Sequence, residues 1–333
     1  MFHSSHESPN EIALRRKQER GRLRNDASYV GALSLALIFV MQYAFSFIVT
    51  LLIKFGAIPA ENLKAPYLGL GNTMYMYLYM AVYICSLLWP ALIVSYCCKK
   101  RFFPFTPAKP VPFGIAFFGV LSAIGLCMLS NIINSYILYF FTEMGLNVPE
   151  APQTMVATPT SLALNLFTMA VLPALLEEMI YRGYILRVLR PYGNLFAVLI
   201  SSALFSLMHG NLRQIPFAFI VGLVLGSLYV CTNNIWLPIA VHFANNAISV
   251  LMEYFAFSLP ETYQGVFYAL IIYGLIVVGI VCSIVLLVGY RKQLRVHRVG
   301  SSLRFFDRWG ALFSSPLFVT AVLMYVMLLI MEA

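Results

Sequence analysis

The chain has 333 residues, of which 61% are hydrophobic and 11% charged, and its formal net charge is +9. Soluble domains carry about 25% charged residues, so a chain this apolar has too little polar surface to fold as a soluble globular protein. The six cysteines lie in or beside apolar runs without metal-ligand spacing, so we interpret them as packing residues rather than as a disulfide framework.

Apolar runs long enough to cross a bilayer recur along the chain, since a spanning helix needs about 20 residues. Helices are expected because a helix satisfies its own backbone hydrogen bonds in lipid. The sequence therefore predicts an all-α, polytopic transmembrane bundle of about eight to nine spans. The candidate spans are about 29–53, 74–98, 113–141, 161–186, 194–210, 214–232, 236–256, 266–289 and 311–331. A single re-entrant hairpin is an alternative for the short fifth and sixth spans.

Basic clusters flank these runs and predict the orientation of the protein. With a cytoplasmic N-terminus and one crossing per span, the cytoplasmic side holds 18 of the 22 Lys and Arg residues. Cytoplasmic loops of membrane proteins typically carry an excess of Lys and Arg, so we predict a multi-pass protein of the cell membrane with its N-terminus in the cytoplasm. Because flanking charge explains the basic clusters, no nucleic-acid partner is expected.

The same clusters divide the chain into four segments. The predicted segments are a basic cytoplasmic arm at 1–28, a transmembrane domain at 29–289, a basic cytoplasmic loop at 290–310 and a final transmembrane helix at 311–333.

Ionisable side chains inside spans are costly, so they are candidates for function. In the fourth span, Glu178 and Arg182 are four residues apart and share a helix face, in the order that favours an ion pair. The adjacent Glu177 points about 100° away. Glu178 is therefore expected to pair with Arg182, whereas Glu177 is free to act as a base or acid and has Tyr181 one turn away.

Histidines in two later spans complete the polar set. Glu177 and His209 both lie roughly 20–25 Å along their helices from the turn at Pro191, so they can face one another. His242 and Asn246 share one helix face at four-residue spacing. A carboxylate, two imidazoles and an amide suggest water activation and amide hydrolysis, with His242 and Asn246 stabilising the oxyanion. A zinc ion held by Glu177, His209 and His242 is the alternative.

Three motifs at these positions resemble the CAAX protease and bacteriocin-processing family, also called CPBP or Abi. They are Glu177-Glu178-Met-Ile-Tyr-Arg182, Phe205-Ser-Leu-Met-His209 and His242-Phe-Ala-Asn-Asn246, in the order EExxxR, FxxxH and HxxxN. The resemblance implies an intramembrane protease with a CPBP-type core at about 160–256. It implies that Glu177 and His209 activate water, that His242 and Asn246 stabilise the oxyanion, and that Glu178, Arg182 and Phe205 shape the site. Metal-dependent and metal-free mechanisms both remain open.

The predicted function is hydrolysis of a peptide bond in a membrane-associated protein or peptide, with the lipid bilayer as surroundings. One alternative is a non-catalytic membrane regulator, immunity protein or scaffold that retains the motifs. The other is a proton-coupled transporter, which the lack of a visible inverted repeat disfavours.

Overall fold

A computed structural model describes residues 8–59, 61–62, 66–99, 108–146, 148, 158–293 and 299–332. Within these ranges the regular secondary structure is entirely helical, which confirms the predicted all-α class. Residues 1–7 of the predicted arm, 294–298 of the predicted basic loop and Ala333 of the predicted last helix lie outside the described residues.

The helices pack against one another through apolar side chains. In chain order they are α1 Pro9–Lys54, α2 Asn72–Cys97, α3 Phe113–Glu143, α4 Pro159–Tyr192, α5 Asn194–Met208, α6 Ile215–Thr232, α7 Trp236–Phe257, α8 Glu261–Gly289, α9 Phe305–Phe313 and α10 Pro316–Glu332. A 3₁₀ turn at Pro66–Gly69 precedes α2.

The basic arm and the first predicted span form one helix, α1, of 46 residues. Its start is fixed by Pro9 in the first turn and by a capping box, in which Ser8 accepts from the Glu11 backbone and Glu11 accepts from the Ser8 backbone. At 1.5 Å per residue, α1 is roughly 70 Å long, about twice the thickness of a hydrocarbon core. The basic first part of α1 therefore extends beyond the apolar part.

Six helices, α1, α2, α3, α4, α6 and α8, are long and apolar enough to cross a membrane, or seven if the bent pair α9–α10 is one span. This number is smaller than the predicted eight to nine spans because α5 and α7 do not qualify. Helix α5 has only 15 residues, or roughly 22 Å. Helix α7 is long enough, but His242, Asn245 and Asn246 make it too polar. The protein is a multi-pass membrane bundle.

The last predicted span is broken in two. Helices α9 and α10 meet at an angle of 81°. Pro316 cannot continue the preceding helix because its nitrogen carries no hydrogen, and the Ser315 hydroxyl accepts from the Phe318 backbone as a new helix begins. The final helix therefore starts at Pro316, five residues after the predicted start at 311.

Helix α4 lies at the centre of the bundle, in contact with α2, α5, α6 and α7. Its turn Tyr181–Leu186 is buried at every residue, and Ile185 and Leu186 have no exposed surface. Outside this centre, α3 and α8 pack closely, since a Cβ at Gly125 would lie 2.6 Å from the Cα of Gly279. The polar residues of α4 are consequently enclosed by neighbouring helices.

Candidate active site

Two π-helical turns, Leu166–Val171 and Tyr181–Leu186, flank the α-helical segment that carries Glu177 and Glu178. Pro173 accounts for the first of them. It lacks the N–H that would bond the carbonyl of residue 169 in an α-helix, and its ring disfavours that geometry. The free Met169 carbonyl instead accepts a hydrogen bond of 2.9 Å from the Asn246 side chain of α7. This bond ties α7 to the irregular turn of α4.

Glu178 and Arg182 form the ion pair that their spacing predicts. Arg182 Nη1 donates to Glu178 Oε1 at 2.6 Å, and neither side chain has exposed surface. A second donor, Arg182 Nη2, bonds the Gly222 carbonyl of α6 at 3.1 Å. The guanidinium also lies 4.5 Å from the centre of the Phe205 ring. Arg182 thereby holds α4, α5 and α6 together behind the site.

Glu178 also orients His242. Its Oε1 atom lies 2.9 Å from His242 Nδ1, which places a hydrogen bond on that side of the ring. The opposite nitrogen, Nε2, then faces Glu177, whose Oε2 lies 3.8 Å away. A histidine oriented by a carboxylate at one nitrogen presents the other in a fixed direction. Sequence spacing alone did not predict the contact between Glu178 and His242.

Glu177 has different surroundings from Glu178, as the helix rotation predicts. The Tyr83 hydroxyl of α2 donates to Glu177 Oε1 at 2.5 Å. Its other oxygen, Oε2, is buried and has no hydrogen-bond partner within the described ranges. The predicted neighbour Tyr181 does not supply this bond. Glu177 therefore has one oxygen fixed by Tyr83 and the other available in the interior.

Phe205 and His209 lie one turn apart at the end of α5. His209 Nδ1 is 2.9 Å from the Phe205 carbonyl oxygen. The Phe205 ring meets both histidine rings nearly edge-on, at 5.1 Å from His209 and 5.9 Å from His242. Phe205 thus spaces the two imidazoles and covers the buried Arg182.

These side chains line one cavity of ≈ 360 Å³. It brings together the four predicted catalytic residues, Glu177, His209, His242 and Asn246, along with Phe205. Glu178 and Arg182 lie behind the wall. The other lining residues are Met41, Tyr79, Tyr83, Thr168, Met169, Pro173, Met208, Gln214, Phe217, Ala218, Val221 and Asn245.

The arrangement does not fit a metal ion. Among the described residues, no group of three or more His, Cys, Asp and Glu side chains is placed to hold one. Glu177 Oε2 and His242 Nε2 lie 3.8 Å apart, but among the described residues no third His, Cys, Asp or Glu side chain joins them around a common point. No chemical step is therefore derived through a metal.

Comparison with known proteins identifies the segment that contains this cavity. Residues 159–248 match the family described as type II CAAX prenyl endopeptidase Rce1-like. The central segment of the chain is therefore similar to the Rce1-like family. The resemblance predicted from the three motifs is thereby confirmed, and this Rce1-like segment contains Glu177, His209, His242 and Asn246. Tyr83 and Met41, which also line the cavity, lie outside it.

Two curated bacterial proteins resemble part of the chain. YdiL of Bacillus subtilis (strain 168), named as a membrane peptidase, is 27% identical over 141 residues, or 42% of this chain and 57% of that protein. The membrane-embedded CAAX protease MroQ of Staphylococcus aureus (strain USA300) is 25% identical over 116 residues, or 33% of this chain and 47% of that protein. The chain thus matches about half the length of these relatives. No solved structure matches it significantly.

Proposed function

We propose that the protein is an intramembrane endopeptidase that hydrolyses a peptide bond of a membrane-associated protein or peptide. The observation that carries this proposal is the convergence of Glu177, His209 and His242 on one cavity inside the bundle. The match to an endopeptidase family and the names of the two bacterial relatives support it. A carboxylate with one unpaired oxygen in an enclosed site is suited to general-base chemistry.

The proposed reaction starts with a water molecule between Glu177 and His209. His209 orients the water and Glu177 takes a proton from it. As the proton leaves, the water oxygen attacks the carbonyl carbon of the peptide bond. The carbonyl oxygen becomes an oxyanion, to which Asn246 and His242 donate hydrogen bonds. His242 donates from Nε2 with its ring protonated on both nitrogens, since Nδ1–H faces the Glu178 carboxylate. The carbon–nitrogen bond then breaks as the leaving nitrogen takes the proton back from Glu177, giving a carboxyl group and an amine.

Glu178 and Arg182 have positioning roles in this mechanism. The buried ion pair holds the carboxylate that orients His242, and removing either member would leave an uncompensated buried charge. Asn246 is held by its bond to the Met169 carbonyl, which leaves the second hydrogen of its amide for the oxyanion.

Complementation of a gene deletion tests the proposal. Cells would carry wild type, Glu177→Gln or His209→Ala at equal membrane abundance, and their membrane proteins would be compared by mass spectrometry. Glu253→Gln is the matched control, since Glu253 is an exposed carboxylate on α7 outside the cavity lining. We expect both site variants to lose function and to accumulate one uncleaved protein, and the control to behave as wild type.

If the protein is instead a non-catalytic regulator, the site variants should retain function. If Glu177→Gln and His209→Ala complement fully and the membrane proteome is unchanged, the endopeptidase proposal is wrong.

A further inference from the structure

Besides Glu177 Oε2, two further polar atoms of residues that line the cavity have no hydrogen-bond partner within the described part of the chain. They are Oγ1 of Thr168 and Oδ1 of Asn245. The two residues are 1% and 3% exposed, so both atoms are cut off from the surface. Leaving a buried polar atom unpaired is energetically costly, and such atoms therefore indicate a missing partner.

The two residues belong to the same part of the wall. Thr168 lies in the π-helical turn Leu166–Val171, directly before Met169, whose carbonyl is bonded to Asn246. Asn245 donates from its Nδ2 to the Asn246 side-chain oxygen at 3.1 Å. This bond fixes the Asn245 amide, so that its remaining polar atom, Oδ1, is the acceptor left over. Both residues line the cavity that holds Glu177 and His242.

An extended peptide has the polar groups that these atoms lack. Hydrolysis requires the bond to be cut to leave a helix, which frees backbone N–H and C=O groups in a region with little water. Each freed group needs a partner supplied by the protein. The Asn245 oxygen accepts hydrogen bonds only, whereas the Thr168 hydroxyl donates as well as accepts. Together they complement one N–H and one C=O.

We propose that Thr168 and Asn245 bind the backbone of the substrate beside the bond that is cut. Asn245 Oδ1 accepts from a backbone N–H, and the Thr168 hydroxyl donates to a backbone C=O. This rests on the proposed endopeptidase function and extends it: the wall around Asn246 recognises extended peptide backbone irrespective of its side chains.

Thr168→Val separates this role from a structural one. Valine retains the shape of threonine and removes a hydroxyl that has no partner in the described protein, so the melting temperature should stay the same or rise. Thr232→Val is the matched control, because the Thr232 hydroxyl donates to the Leu228 carbonyl at 2.7 Å, outside this cavity. Thr232→Val loses that bond and should melt at a lower temperature, and a similar fall for Thr168→Val would indicate a structural role.

Binding is measured with the full chain carrying Glu177→Gln, so that no cleavage occurs. The probe is a labelled synthetic peptide of leucine and alanine, followed by fluorescence anisotropy in detergent. One hydrogen bond of about 1 kcal/mol corresponds to roughly a fivefold change in Kd. We therefore expect Thr168→Val and Asn245→Ala each to weaken binding about fivefold and Thr232→Val to leave it unchanged. Equal binding in all variants, or no binding by the parent, overturns the inference.

Backbone methylation of the probe tests the Asn245 contact directly. A series of peptides would carry an N-methyl group at successive positions, each removing one N–H. At one position, methylation should weaken binding to the parent about fivefold and have no further effect on Asn245→Ala. If methylation has the same effect on both at every position, Asn245 does not bind backbone. Binding without cleavage by wild type would leave the inference standing and count against the endopeptidase proposal alone.

Discussion

Tyr83 fixes the side chain on which the proposed chemistry depends, because its hydroxyl donates to Glu177 Oε1 at 2.5 Å. A hydrogen bond to a charged group contributes about 1.5–3 kcal/mol, so its loss should lower turnover at least about tenfold. We predict this fall for Tyr83→Phe, measured with the substrate found by membrane proteomics. The matched control is Tyr79→Phe, since Tyr79 lines the same cavity and stacks on Tyr83 with ring centres 6.0 Å apart. Equal turnover in the two variants would contradict the role of Tyr83.

The arrangement of possible metal ligands predicts whether the activity depends on a metal ion. Since the described His, Cys, Asp and Glu residues offer no group of three around one point, cleavage should not require a metal ion. We predict that dialysis against 1,10-phenanthroline leaves turnover unchanged. Loss of activity that zinc restores would contradict this prediction and favour the zinc alternative.

At the scale of single residues, the sequence predicted what lies within one helical turn. The spacing of Glu178 and Arg182 was sufficient for their ion pair, and helix rotation was sufficient to separate Glu177 from Glu178. Tyr83 was missed because it lies 94 residues before Glu177 in a tyrosine-rich apolar helix, where nothing distinguishes it from packing residues. Thr168 and Asn245 were not predicted as binding residues for a different reason: what distinguishes them is the absence of a hydrogen-bond partner, which only the structure shows.

At the scale of elements, Pro173 links the irregular backbone of α4 to the position of Asn246. Replacing it by alanine would restore an N–H able to bond the Met169 carbonyl, which Asn246 now occupies. We predict that Pro173→Ala keeps or raises the melting temperature but lowers turnover, because Asn246 loses its anchor. Thermal unfolding and turnover measured on the same preparation check this. Unchanged turnover would show that the π-helical turn is not needed.

The basic part of α1 is attached to the segment before α9 through Glu19. This carboxylate accepts from the Ser302 backbone at 2.9 Å and from the hydroxyls of Ser301 and Ser302. Burial raises the pKa of Glu19, but the hydrogen bonds from Ser301 and Ser302 outweigh it, so the pKa is lowered overall. A carboxylate whose pKa is lowered on folding stabilises the folded protein at pH values above the ordinary glutamate pKa, near 4.3. This stabilisation is lost as the pH falls through the lowered pKa of the folded state.

Glu19→Gln should therefore unfold at a lower temperature than wild type at neutral pH. The difference should shrink as the pH drops below about 4 and the wild-type carboxylate takes up a proton. Melting temperatures of both proteins across this range check the prediction. A difference that is independent of pH would mean that the ionised form of Glu19 is not what stabilises the contact.

At the scale of the whole molecule, the composition predicted the class of the fold but not the number of spans. Counting apolar runs included α5, which is too short, and α7, whose polar residues face the cavity rather than lipid. A helix that contributes polar groups to an interior site has the weakest hydropathy signal, so the elements nearest the site were the least certain. The bend at Pro316 was missed because an apolar run carries no information on direction.

The orientation of the bundle remains a prediction from the distribution of basic residues. We expect a cytoplasmic N-terminus. In a variant with all six cysteines replaced by alanine, Asn10→Cys should react with a membrane-impermeant thiol reagent only after permeabilisation. Glu261→Cys, at the exposed start of α8, should react in intact cells. The reverse labelling pattern would invert the assigned topology.

The continuity of α1 has a mechanical consequence. Met41, on the cavity wall, and Glu19, on the basic part, belong to the same uninterrupted helix and are roughly 33 Å apart along it. A helix of this kind transmits displacement as a rod, so a tilt imposed at one end moves the other by a comparable distance. A tilt of the basic part of α1 would therefore also displace Met41 and change the shape of the cavity wall.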